Sequence, residues 1–571
     1  CQVIRYLLLS LRNRLLKLQF NPEACSKLSD LKLQWGCIPF DEMPFCTSLV
    51  GHNPRYWDLI ESLDIAGREH ELLARRVKTN VQRHGMLYTP VADLASFGDT
   101  QQLLAAYNKK LYFKHQGRRL MLDKGHVFIR EYEDSTVAII ERLQAEASIG
   151  VDGYAQAVDR WLRESGRPID DPVKKEALGR LFSESRVALI YGAAGTGKTT
   201  MMDHIANYFH DESKLFLANT NPAVDNMKRR VTAQCSTFRT ISSQTRHRAE
   251  TYDLLVIDEC STVSNGDLVD VLAKVSFKLL VLVGDVYQIE AIEFGNWFGL
   301  ARSFVPTSAV FELTQPFRTD DQALLALWDK VRRIDDDIAE AVARGGYSSA
   351  LDASLFGAQH KDEIILCLNY DGLYGINNVN RFLQSRNPEQ SVSRGAATYK
   401  VGDPVLFNET DRFYPLIYNN LKGWIVGIQE SFGEIQFDIK LDRRISEVDV
   451  VGGDLQWVRD STVRFSVYDY GTGDEDDDSV DTIVPFQVAY AVSIHKAQGL
   501  EYDSVKIVIT DANEDDITHN ILYTAITRAR EHLQVYWTPE TQQAILTKLR
   551  RHTNPRDGAI LSSRRSLKPV T

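Results

Sequence analysis

The sequence lacks paired cysteines: its 571 residues contain seven cysteines, and no two of them form a Cys-x-x-Cys pair. This spacing excludes a disulfide framework and the usual zinc-ligand pairs, and it predicts a reducing, cytoplasmic compartment. Four of the seven lie in the first fifty residues, namely Cys1, Cys25, Cys37 and Cys46. An irregular iron–sulfur or zinc site built from these four is the less favoured alternative to ordinary buried thiols.

An excess of positive charge is also missing, since 66 Lys and Arg residues stand against 77 Asp and Glu residues. The formal net charge of −11 excludes a global basic field, so any contact with nucleic acid needs a local groove. The composition, with 44% hydrophobic and 25% charged residues, is that of a folded, water-soluble protein. At roughly 150 residues per domain, the length predicts about three to five domains.

The sequence has no apolar run long enough to cross a membrane. Its most apolar N-terminal stretch, Val3–Phe20, is interrupted by three arginines and by Lys17. Leucines recur there at helical spacing, which predicts an amphipathic helix that packs against a core. We therefore expect no membrane partner. Because the chain begins with Cys1, a larger parent protein or a processed start is also expected.

The pattern of apolar residues changes near residue 170. Before it, helical patterns at Tyr56–Val77 and Thr100–Lys109 and a strand-like stretch at Lys110–Glu133 predict an α+β accessory region without a catalytic pattern. Beyond it, short apolar runs alternate with helical segments, which predicts parallel sheets with crossover helices. The runs are Val187–Tyr191, Leu215–Ala218, Leu254–Ile257, Leu279–Val283, Ile364–Leu368, Val505–Ile509 and Leu533–Tyr536. The fold class is therefore α/β, with two such domains.

A different pattern interrupts the second α/β region. Short alternating strands at Asp403–Asn408, Gly423–Gln429 and Glu434–Leu441 predict an inserted small β-barrel, and the acidic run Gly473–Asp478 predicts a solvated loop at its end. The predicted domains are an N-terminal accessory region at 1–150, a first α/β domain at 151–308, a second at 309–398 and 482–547, the barrel at 399–481, and a basic C-terminal tail at 548–571.

The sharpest motif is Gly192-Ala-Ala-Gly195-Thr-Gly197-Lys198-Thr199, between an apolar strand and a helical segment that begins at Thr200. This is a Walker A loop in the strand–loop–helix context that it requires. Its glycines let backbone N–H groups and the helix N-terminus face phosphates. Lys198 is expected to reach the β- and γ-phosphate oxygens, and Thr199 to ligate Mg²⁺. The expected nucleotide-binding residues here are Gly192, Gly195, Gly197, Lys198, Thr199 and Thr200.

Acidic residues follow two further strands. Leu254–Ile257 ends in Asp258-Glu259, where the first carboxylate is expected to hold Mg²⁺ and the second to polarise an attacking water. Leu280–Val283 leads into Gly284-Asp-Val-Tyr-Gln288, and Gln288 is expected to sense the γ-phosphate. Since ligands bind at the carboxyl ends of parallel strands, these groups are expected to converge on the Walker A loop.

The order of the motifs resembles the superfamily 1 helicases. Seven motifs occur in that family's order: the Gly-rich loop, Ala218-Asn-Thr-Asn-Pro-Ala-Val224, Ile257-Asp-Glu259, Gly284-Asp-Val-Tyr-Gln288, Leu313-Thr-Gln-Pro-Phe-Arg318, Ser493-Ile-His-Lys-Ala-Gln-Gly499 and Tyr523-Thr-Ala-Ile-Thr-Arg-Ala-Arg530. The last two look most like the RecD-like (superfamily 1B) branch. The resemblance covers about residues 170–540 and leaves the accessory region unexplained.

This resemblance implies an ATP-dependent helicase or translocase that moves 5′ to 3′ on single-stranded DNA, with ATP and Mg²⁺, by closure of two RecA-like P-loop domains. It implies that Lys198, Glu259 and Gln288 act from the first domain, and that Arg318 and Arg528 reach the γ-phosphate from the second. Gly499 and Glu501 match a motif that touches both nucleotide and strand, with Glu501 as a ribose contact.

For the nucleic-acid strand, the resemblance implies phosphate contacts and therefore sequence-tolerant binding. The implied strand residues are Thr220, Asn221, Thr237, Arg239, His495 and Lys496, with Phe294 as a base-stacking candidate. For Trp297, packing in a buried helix is favoured over stacking.

The sequence departs from the family pattern in two places. The stretch upstream of the Walker A loop, Val173–Leu178, has no Gln, so adenine specificity is not implied, and a Thr-x-His motif is replaced by Thr237-Phe-Arg239. Only about thirty residues separate Asn221 from Asp258, which leaves little chain for a strand-separating pin. We therefore expect translocation to be more efficient than duplex unwinding.

Two alternative functions stay open at this point. The same motifs serve RNA-directed helicases, because a contact to the 2′-OH cannot be identified from the sequence. An ATP-gated assembly module of a larger nucleic-acid-processing complex is the other alternative, although a pure switch would tolerate loss of Glu259, Gln288, Arg318 and Arg528. A protein partner or a fused nuclease acting through residues 1–150 is a further expectation.

Overall fold

The computed structural model describes residues 22–25, 31–34, 66–111, 113–289, 291, 294–357, 362–370, 372–394, 397–408, 411–414, 416–451, 453–468, 481–511, 517–549 and 554–568. The predicted helix at 3–20, the acidic run at 473–478 and three of the four N-terminal cysteines lie outside these residues. None of the helices described combines the length and the apolar character that crossing a membrane requires.

The N-terminal region combines helices with a small antiparallel sheet. Its elements are β1 (Pro22–Cys25), β2 (Leu31–Gln34), α1 (Glu69–His84), β3 (Thr89–Pro90), α2 (Thr100–Lys110), a 3₁₀ helix (Phe113–Arg118), β4 (Leu120–Asp123), β5 (His126–Ile129) and α3 (Arg130–Ala147). The sheet has the order β3-β5-β4, so β4 is an edge strand. The strand prediction for Lys110–Glu133 is right only for β4 and β5. Glu131 and Glu133 instead start α3, where their charges favour the helix N-terminus.

The first parallel sheet follows. Its elements are α4 (Tyr154–Ser165), α5 (Pro172–Arg180), β6 (Val187–Gly192), α6 (Lys198–Tyr208), β7 (Lys214–Ala218), α7 (Asn221–Arg230), β8 (Ser236–Thr240), α8 (Ile241–Gln244), β9 (Glu250–Ile257), α9 (Asn265–Lys274), β10 (Val275–Gly284), α10 (Trp297–Ala301) and β11 (Val310–Leu313). The strand order is β11-β6-β10-β9-β7-β8, and all pairs are parallel. The continuous apolar runs are therefore strands buried on both faces.

The boundary predicted at residue 309 is wrong. Val310–Leu313 does not open the second domain but pairs with β6 as the edge strand of the first sheet. Only Leu313 of its four residues is fully covered, which fits an edge position. The chain leaves the first sheet between residues 314 and 321.

Several helices begin at side-chain caps. Asp171 accepts a hydrogen bond from the Val173 N–H (2.9 Å) and Pro172 occupies the first turn of α5. Thr220 caps α7 through the Ala223 N–H (3.4 Å). Such caps satisfy N–H groups that have no partner within the helix, and they fix where each helix starts relative to its preceding strand.

The remaining elements form a second parallel sheet and an insertion. In chain order they are α11 (Gln322–Arg333), α12 (Ile338–Arg344), β12 (Ser348–Ser349), β13 (Glu363–Cys367), α13 (Ile376–Arg386), β14 (Val392–Arg394), β15 (Ala397–Tyr399), β16 (Pro404–Phe407), β17 (Lys422–Ser431), β18 (Glu434–Leu441), β19 (Gln456–Arg459), β20 (Thr462–Tyr468), β21 (Phe486–Val488), β22 (Ala491–Ser493), β23 (Tyr502–Val508), α14 (His519–Ile526), β24 (Ala529–Tyr536), α15 (Pro539–Lys548) and α16 (Asn554–Arg565). The second sheet has the order β12-β24-β23-β13-β22.

The insertion is a six-stranded antiparallel sheet of order β19-β20-β18-β17-β16-β21 around its own apolar core. Among the residues described, no strand pairing joins the two edge strands β19 and β21. The sheet agrees with the predicted strands, whereas its closure into a barrel stays a prediction.

The C-terminal residues form a helix where the sequence predicts a tail. Leu561 and Leu567 pack into the core of the N-terminal region, and the Asp557 carboxylate accepts a hydrogen bond from the Leu87 N–H (2.7 Å). Arg564 and Arg565 both pair with the buried carboxylate of Glu133. Two of the basic residues that suggested a basic tail are therefore partners of an acidic group in the N-terminal region.

The interval between Asn221 and Asp258 is filled by regular structure. It contains α7, β8, α8 and β9, and only the short loops 231–235 and 245–249 remain. This arrangement agrees with the expectation that little chain is available there for a pin.

Candidate functional site

The Gly-rich loop joins β6 to α6 at the carboxyl edge of the first sheet. Gly195 (φ +78°) and Gly197 (φ +75°) adopt left-handed backbone conformations. A Cβ atom at Gly195 would lie 2.4 Å from the Cβ of Arg318, and one at Gly197 would lie 2.4 Å from Nζ of Lys174. Both conformation and crowding therefore require glycine at these positions.

Lys198 begins helix α6 and turns its ammonium back over the loop. Its Nζ donates hydrogen bonds to the carbonyl oxygens of Gly192 (2.8 Å) and Ala193 (2.9 Å). Burial lowers the pKa of Lys198, and the nearby carboxylates of Asp285 and Asp258 oppose that shift. Thr199 and Thr200 lie in the first turn of α6, so hydroxyl, N–H and ammonium groups share one helix N-terminus.

Asp258 and Glu259 end strand β9 beside this loop. Asp258 is 8% exposed, and its Oδ1 accepts a hydrogen bond from the Glu259 N–H (2.8 Å). Glu259 has a φ of +51°, which turns it out of the strand direction. Burial, together with the charge of Asp258, raises the pKa of Glu259 to about 7. No donor among the described residues reaches the buried Oε2 of Glu259, so this oxygen is available to a bound molecule.

Strand β10 contributes Asp285 and Gln288. The buried Asp285 accepts hydrogen bonds from the Tyr287 N–H (3.1 Å) at Oδ1 and from the Tyr523 hydroxyl (3.2 Å) at Oδ2. The Gln288 N–H donates to the Asp285 carbonyl (3.2 Å), which holds Gln288 in the turn directly after the strand. The predicted convergence of Lys198, Asp258 and the β10 turn is present.

Arg318 does not lie in the second domain, as the sequence predicts, but in the connection directly after β11. The preceding residue, Phe317, donates its N–H to the Gly195 carbonyl (2.7 Å), so this connection lies on the Gly-rich loop. The Arg318 guanidinium reaches across to the Thr527 carbonyl (2.7 Å) and to Oε1 of Glu501 (2.6 Å). Arg318 therefore bridges the two sheets, because its backbone is fixed by the first and its charge is held by the second.

Arg528 follows α14 and is 3% exposed. Its Nε donates to the Thr524 carbonyl (2.9 Å) and its Nη1 to the Leu500 carbonyl (3.2 Å). Burial and the neighbouring Arg318 lower the pKa of Arg528 to about 10, while Glu501 and Glu259 oppose this shift. Arg528 thus brings a buried positive charge from the second domain close to the carboxylate that ends β9.

The segment Gly499–Glu501 lies over Glu259. Gly499 has a φ of +77°, and a Cβ atom there would lie 3.5 Å from Oε1 of Glu259 and 3.7 Å from the Thr220 hydroxyl. Burial raises the pKa of Glu501, but Arg318 and Arg528 outweigh it and the net shift is downward. The Glu501 carboxylate therefore pairs with Arg318, a partner that the sequence did not suggest.

Tyr523 is a site residue for which the sequence analysis gave no role. Its hydroxyl accepts a hydrogen bond from the Ala194 N–H of the Gly-rich loop (3.3 Å) and donates one to Asp285. The adjacent Thr524 hydroxyl accepts from the Ile289 N–H (2.8 Å). The only sequence signal was the position of Tyr523 in the motif that ends at Arg530. Two neighbouring residues of α14 thus bind the first domain.

Lys174 lies in the stretch upstream of the Gly-rich loop, Val173–Leu178, in which the family pattern has a Gln and this sequence has none. Its side chain is fully buried, with Nζ 2.5 Å from Oδ2 of Asp170 and 4.3 Å from the centre of the Phe317 ring. The ammonium carries only donors, unlike an amide, and its charge is already balanced by Asp170. Lys174 therefore does not supply the amide group with which a Gln could recognise a base.

The predicted strand residues lie at two sheet edges. Thr220 and Asn221 lie where β7 meets α7, and His495 and Lys496 follow β22. Thr237 and Arg239 lie on β8, the edge strand of the first sheet. The Arg239 guanidinium is held by Glu250 (2.5 Å) and Gln244 (2.8 Å). Lys496 donates to the Gln487 side chain (2.8 Å).

The prediction that Phe294 stacks on a base is wrong. Phe294 is 1% exposed and packs against Tyr132, with ring centroids 5.3 Å apart. It is covered because the N-terminal region, which the motif pattern did not include, lies on this part of the first domain. The prediction for Trp297 is confirmed, since this side chain is fully buried and its Nε1 donates to the Val263 carbonyl (2.9 Å).

Family models match both parallel-sheet regions. Residues 172–350 match an AAA domain, and residues 488–536 match a UvrD-like helicase C-terminal domain. These matches lie on the two sheets that surround the site.

Curated relatives match at low identity. The chain is 25% identical over 321 residues to the RecBCD enzyme subunit RecD of Mycolicibacterium smegmatis, covering 51% of each chain. It is 25% identical to the ATP-dependent RecD2 DNA helicase of Deinococcus radiodurans, covering 49% of this chain and 36% of that protein. It is 24% identical to the conjugal transfer protein TraA of Rhizobium radiobacter, covering 67% and 33%. The chain thus spans about a third to a half of these relatives' lengths.

Among solved structures, the Pif1 helicase from Bacteroides in complex with ADP-AlF3 and ssDNA aligns with a TM-score of 0.44 and 14% identity, over 70% of this chain and 98% of that one. The family models and the curated relatives confirm the resemblance to RecD-like superfamily 1 helicases that the motif order predicts.

Proposed function

We propose that this chain is an ATP-dependent helicase or translocase that moves 5′ to 3′ on single-stranded DNA. One observation carries the proposal: acidic and basic groups from two RecA-like domains meet at a single Gly-rich loop. Glu259 and Lys198 come from the first domain and Arg528 comes from the second, with Arg318 spanning both. An ATPase whose site is completed only by two domains can convert hydrolysis into domain motion.

Nucleotide binding is supported by the loop geometry, and the residues present also fit Mg²⁺. Asp258 accepts the Glu259 N–H at Oδ1, and the buried Oε2 of Glu259 has no protein donor among the residues described. The Thr199 hydroxyl and the Asp258 carboxylate would hold the ion, which with bound ATP neutralises charge on the β- and γ-phosphate oxygens. Lys198 would exchange its loop carbonyl partners for phosphate oxygens.

For hydrolysis, we assign Glu259 to the attacking water. A carboxylate with a pKa near 7 is suited to accept a proton from water and to return it. Arg318 and Arg528 would neutralise the negative charge that develops on the γ-phosphate, and Gln288 would orient the water or sense the phosphate. These roles depend on the two domains being closed around the nucleotide.

Coupling to a strand is supported by the Gly499 contacts. A Cβ atom added at Gly499 would be in van der Waals contact with both Glu259 and the Thr220 hydroxyl, so Gly499 lies next to both, and Thr220 starts the helix expected to contact the strand. If strand binding moved Thr220, the movement would therefore be transmitted through Gly499 to the carboxylate of Glu259. We assign phosphate contacts to Thr220, Asn221, Thr237, His495 and Lys496, which gives sequence-tolerant binding. Location in a reducing cytoplasm stays a prediction from cysteine usage.

Replacing Tyr523 with Phe is expected to lower strand-stimulated ATP turnover by about tenfold to a hundredfold. The change removes two hydrogen bonds between the domains, one of them to a carboxylate, and each is worth roughly 1–3 kcal/mol. Steady-state turnover at saturating strand measures the effect. Tyr536→Phe, in the second sheet, is the matched control and should retain wild-type turnover. Equal turnover for Tyr523→Phe and the wild type would exclude a role of this hydroxyl in domain closure.

The direction of movement tests the proposed function itself. A 5′ to 3′ motor should displace a protein block from the 3′ end of a single-stranded DNA and leave a block at the 5′ end in place. Displacement only from the 5′ end would contradict the proposal. The same assay with RNA distinguishes the RNA-directed alternative, because displacement from RNA alone would identify that strand as the substrate.

A further inference from the structure

The segment 109–126 of the N-terminal region is strongly basic within an acidic protein. It contains six Lys and Arg residues and a single acidic residue, whereas the whole chain has a formal net charge of −11. Such segregation gives the segment a local positive field, and its side-chain contacts run to Glu131 of α3 and Ser563 of α16. The motor motifs do not include this segment, and no role follows for it from the proposed ATPase site.

The basic residues converge because the segment folds back on itself. The side chain of Asn108, near the end of α2, donates to the Leu120 carbonyl (2.9 Å) and accepts from the Leu120 N–H (2.9 Å). Lys109 and Lys110 directly follow Asn108, and Arg119 directly precedes Leu120. All three side chains are exposed. The two hydrogen bonds between the Asn108 side chain and Leu120 therefore bring three cations to one end of the edge strand β4.

Apolar side chains continue this surface. On the edge strand β4, Met121 is 40% exposed and Leu122 is 39% exposed on opposite faces of the sheet, so both flank its open edge, and Phe113 in the adjoining 3₁₀ helix is 71% exposed. At the other end of β4 the exposed Lys124 binds Ser563 of α16. A four-residue strand spans about 13 Å, so the two cationic ends can hold different phosphates of one strand. We name this surface, comprising residues 109, 110, 113, 119, 121, 122 and 124, the β4 surface.

We propose that the β4 surface is a second binding site for single-stranded nucleic acid, outside the interdomain cleft. This inference rests on the proposed function for the identity of the ligand. Lysine and arginine side chains would bind phosphates, and the exposed Phe113, Met121 and Leu122 would pack against unpaired bases. A duplex offers these apolar groups no accessible base faces, which favours a single strand. The N-terminal region thereby extends the length of strand that the chain holds.

The test compares Lys109→Gln/Lys110→Gln/Arg119→Gln with a control that removes three exposed arginines elsewhere, Arg163→Gln/Arg180→Gln/Arg344→Gln. Binding to oligothymidylate is measured by fluorescence anisotropy with a short strand that fills only the cleft and with longer strands. The β4-surface variant should bind long strands at least about tenfold more weakly and the short strand normally. The slope of log affinity against log salt for long strands should fall by about 2, since each phosphate contact on a single strand contributes about 0.7. The control variant should behave as the wild type.

The proposal would be overturned by an unchanged affinity of the variant for long strands, or by an equal loss of affinity for short and long strands. The proposal would also be overturned if the wild type bound duplex more tightly than single strand and the variant lost this preference. ATP turnover with a saturating short strand should be the same in both variants. If the wild type shows no strand-stimulated turnover, the proposed motor function is wrong. The dependence of binding on strand length still tests whether the β4 surface binds a strand.

Discussion

Replacing Glu259 with Gln should lower ATP turnover by about a thousandfold, the typical upper contribution of a general base, without weakening nucleotide binding. The amide has nearly the same shape but cannot accept a proton from water. Because Oε2 of Glu259 is buried and no protein donor among the described residues reaches it, the substitution breaks no hydrogen bond of this oxygen. The loss is therefore expected in the rate and not in stability. Steady-state turnover and equilibrium binding of a fluorescent nucleotide measure the two quantities.

Two comparisons sharpen this experiment. Lys198→Ala should abolish turnover through lost nucleotide binding, since it removes the ammonium expected on the β- and γ-phosphates. Glu312→Gln, at an exposed position on the edge strand β11, should leave both quantities unchanged. Wild-type turnover in Glu259→Gln would show that another group activates the water.

Replacing Arg528 with Ala should reduce turnover by about a thousandfold while nucleotide affinity stays within about twofold, as expected for an arginine that acts on the developing charge. Arg528 comes from the domain opposite the Gly-rich loop and lies buried beside Arg318 and near Glu259. Arg318→Ala should have an effect of the same order, because we expect both charges to act on the same phosphate.

The control for this pair lies two residues away. Arg530 binds Asp362 (2.9 Å) and Asp503 (2.8 Å) within the second domain, so Arg530→Ala should leave turnover nearly unchanged. Since Arg528 is buried, Arg528→Lys provides a second variant that keeps the charge but loses the planar geometry, and it should also be strongly impaired. Parallel losses of affinity and rate in Arg528→Ala would contradict a role confined to the transition state.

The local parts of the site could be predicted from the sequence. The Gly-rich loop, the Asp258-Glu259 pair and the turn at Gln288 each follow an apolar strand, and parallel strands bring their carboxyl ends to one edge. Each of these residues lies within a few positions of a strand end, so motif spacing was sufficient to predict that they converge.

Residues whose positions depend on tertiary contacts could not be predicted in this way. The sequence suggests that Phe294 is available for stacking, but the N-terminal region covers it. The sequence also suggests that Val310–Leu313 begins a new domain, but this strand pairs with β6. The sequence predicts a basic tail at Arg564 and Arg565 because their partner, Glu133, lies more than 400 residues earlier and cannot be identified from neighbouring residues. Tyr523 was missed because its two partners, Ala194 and Asp285, belong to the other domain.

The central claim is that this chain is a motor whose ATPase depends on a bound strand. The most direct measurement is the rate of ATP hydrolysis titrated with single-stranded DNA. The two-domain site predicts a low basal rate and a saturable stimulation of at least about tenfold, because the strand favours the closed state in which Arg528 completes the site. A rate that stays constant at all strand concentrations, with nucleotide binding intact, would contradict the motor and support an ATP-gated assembly module.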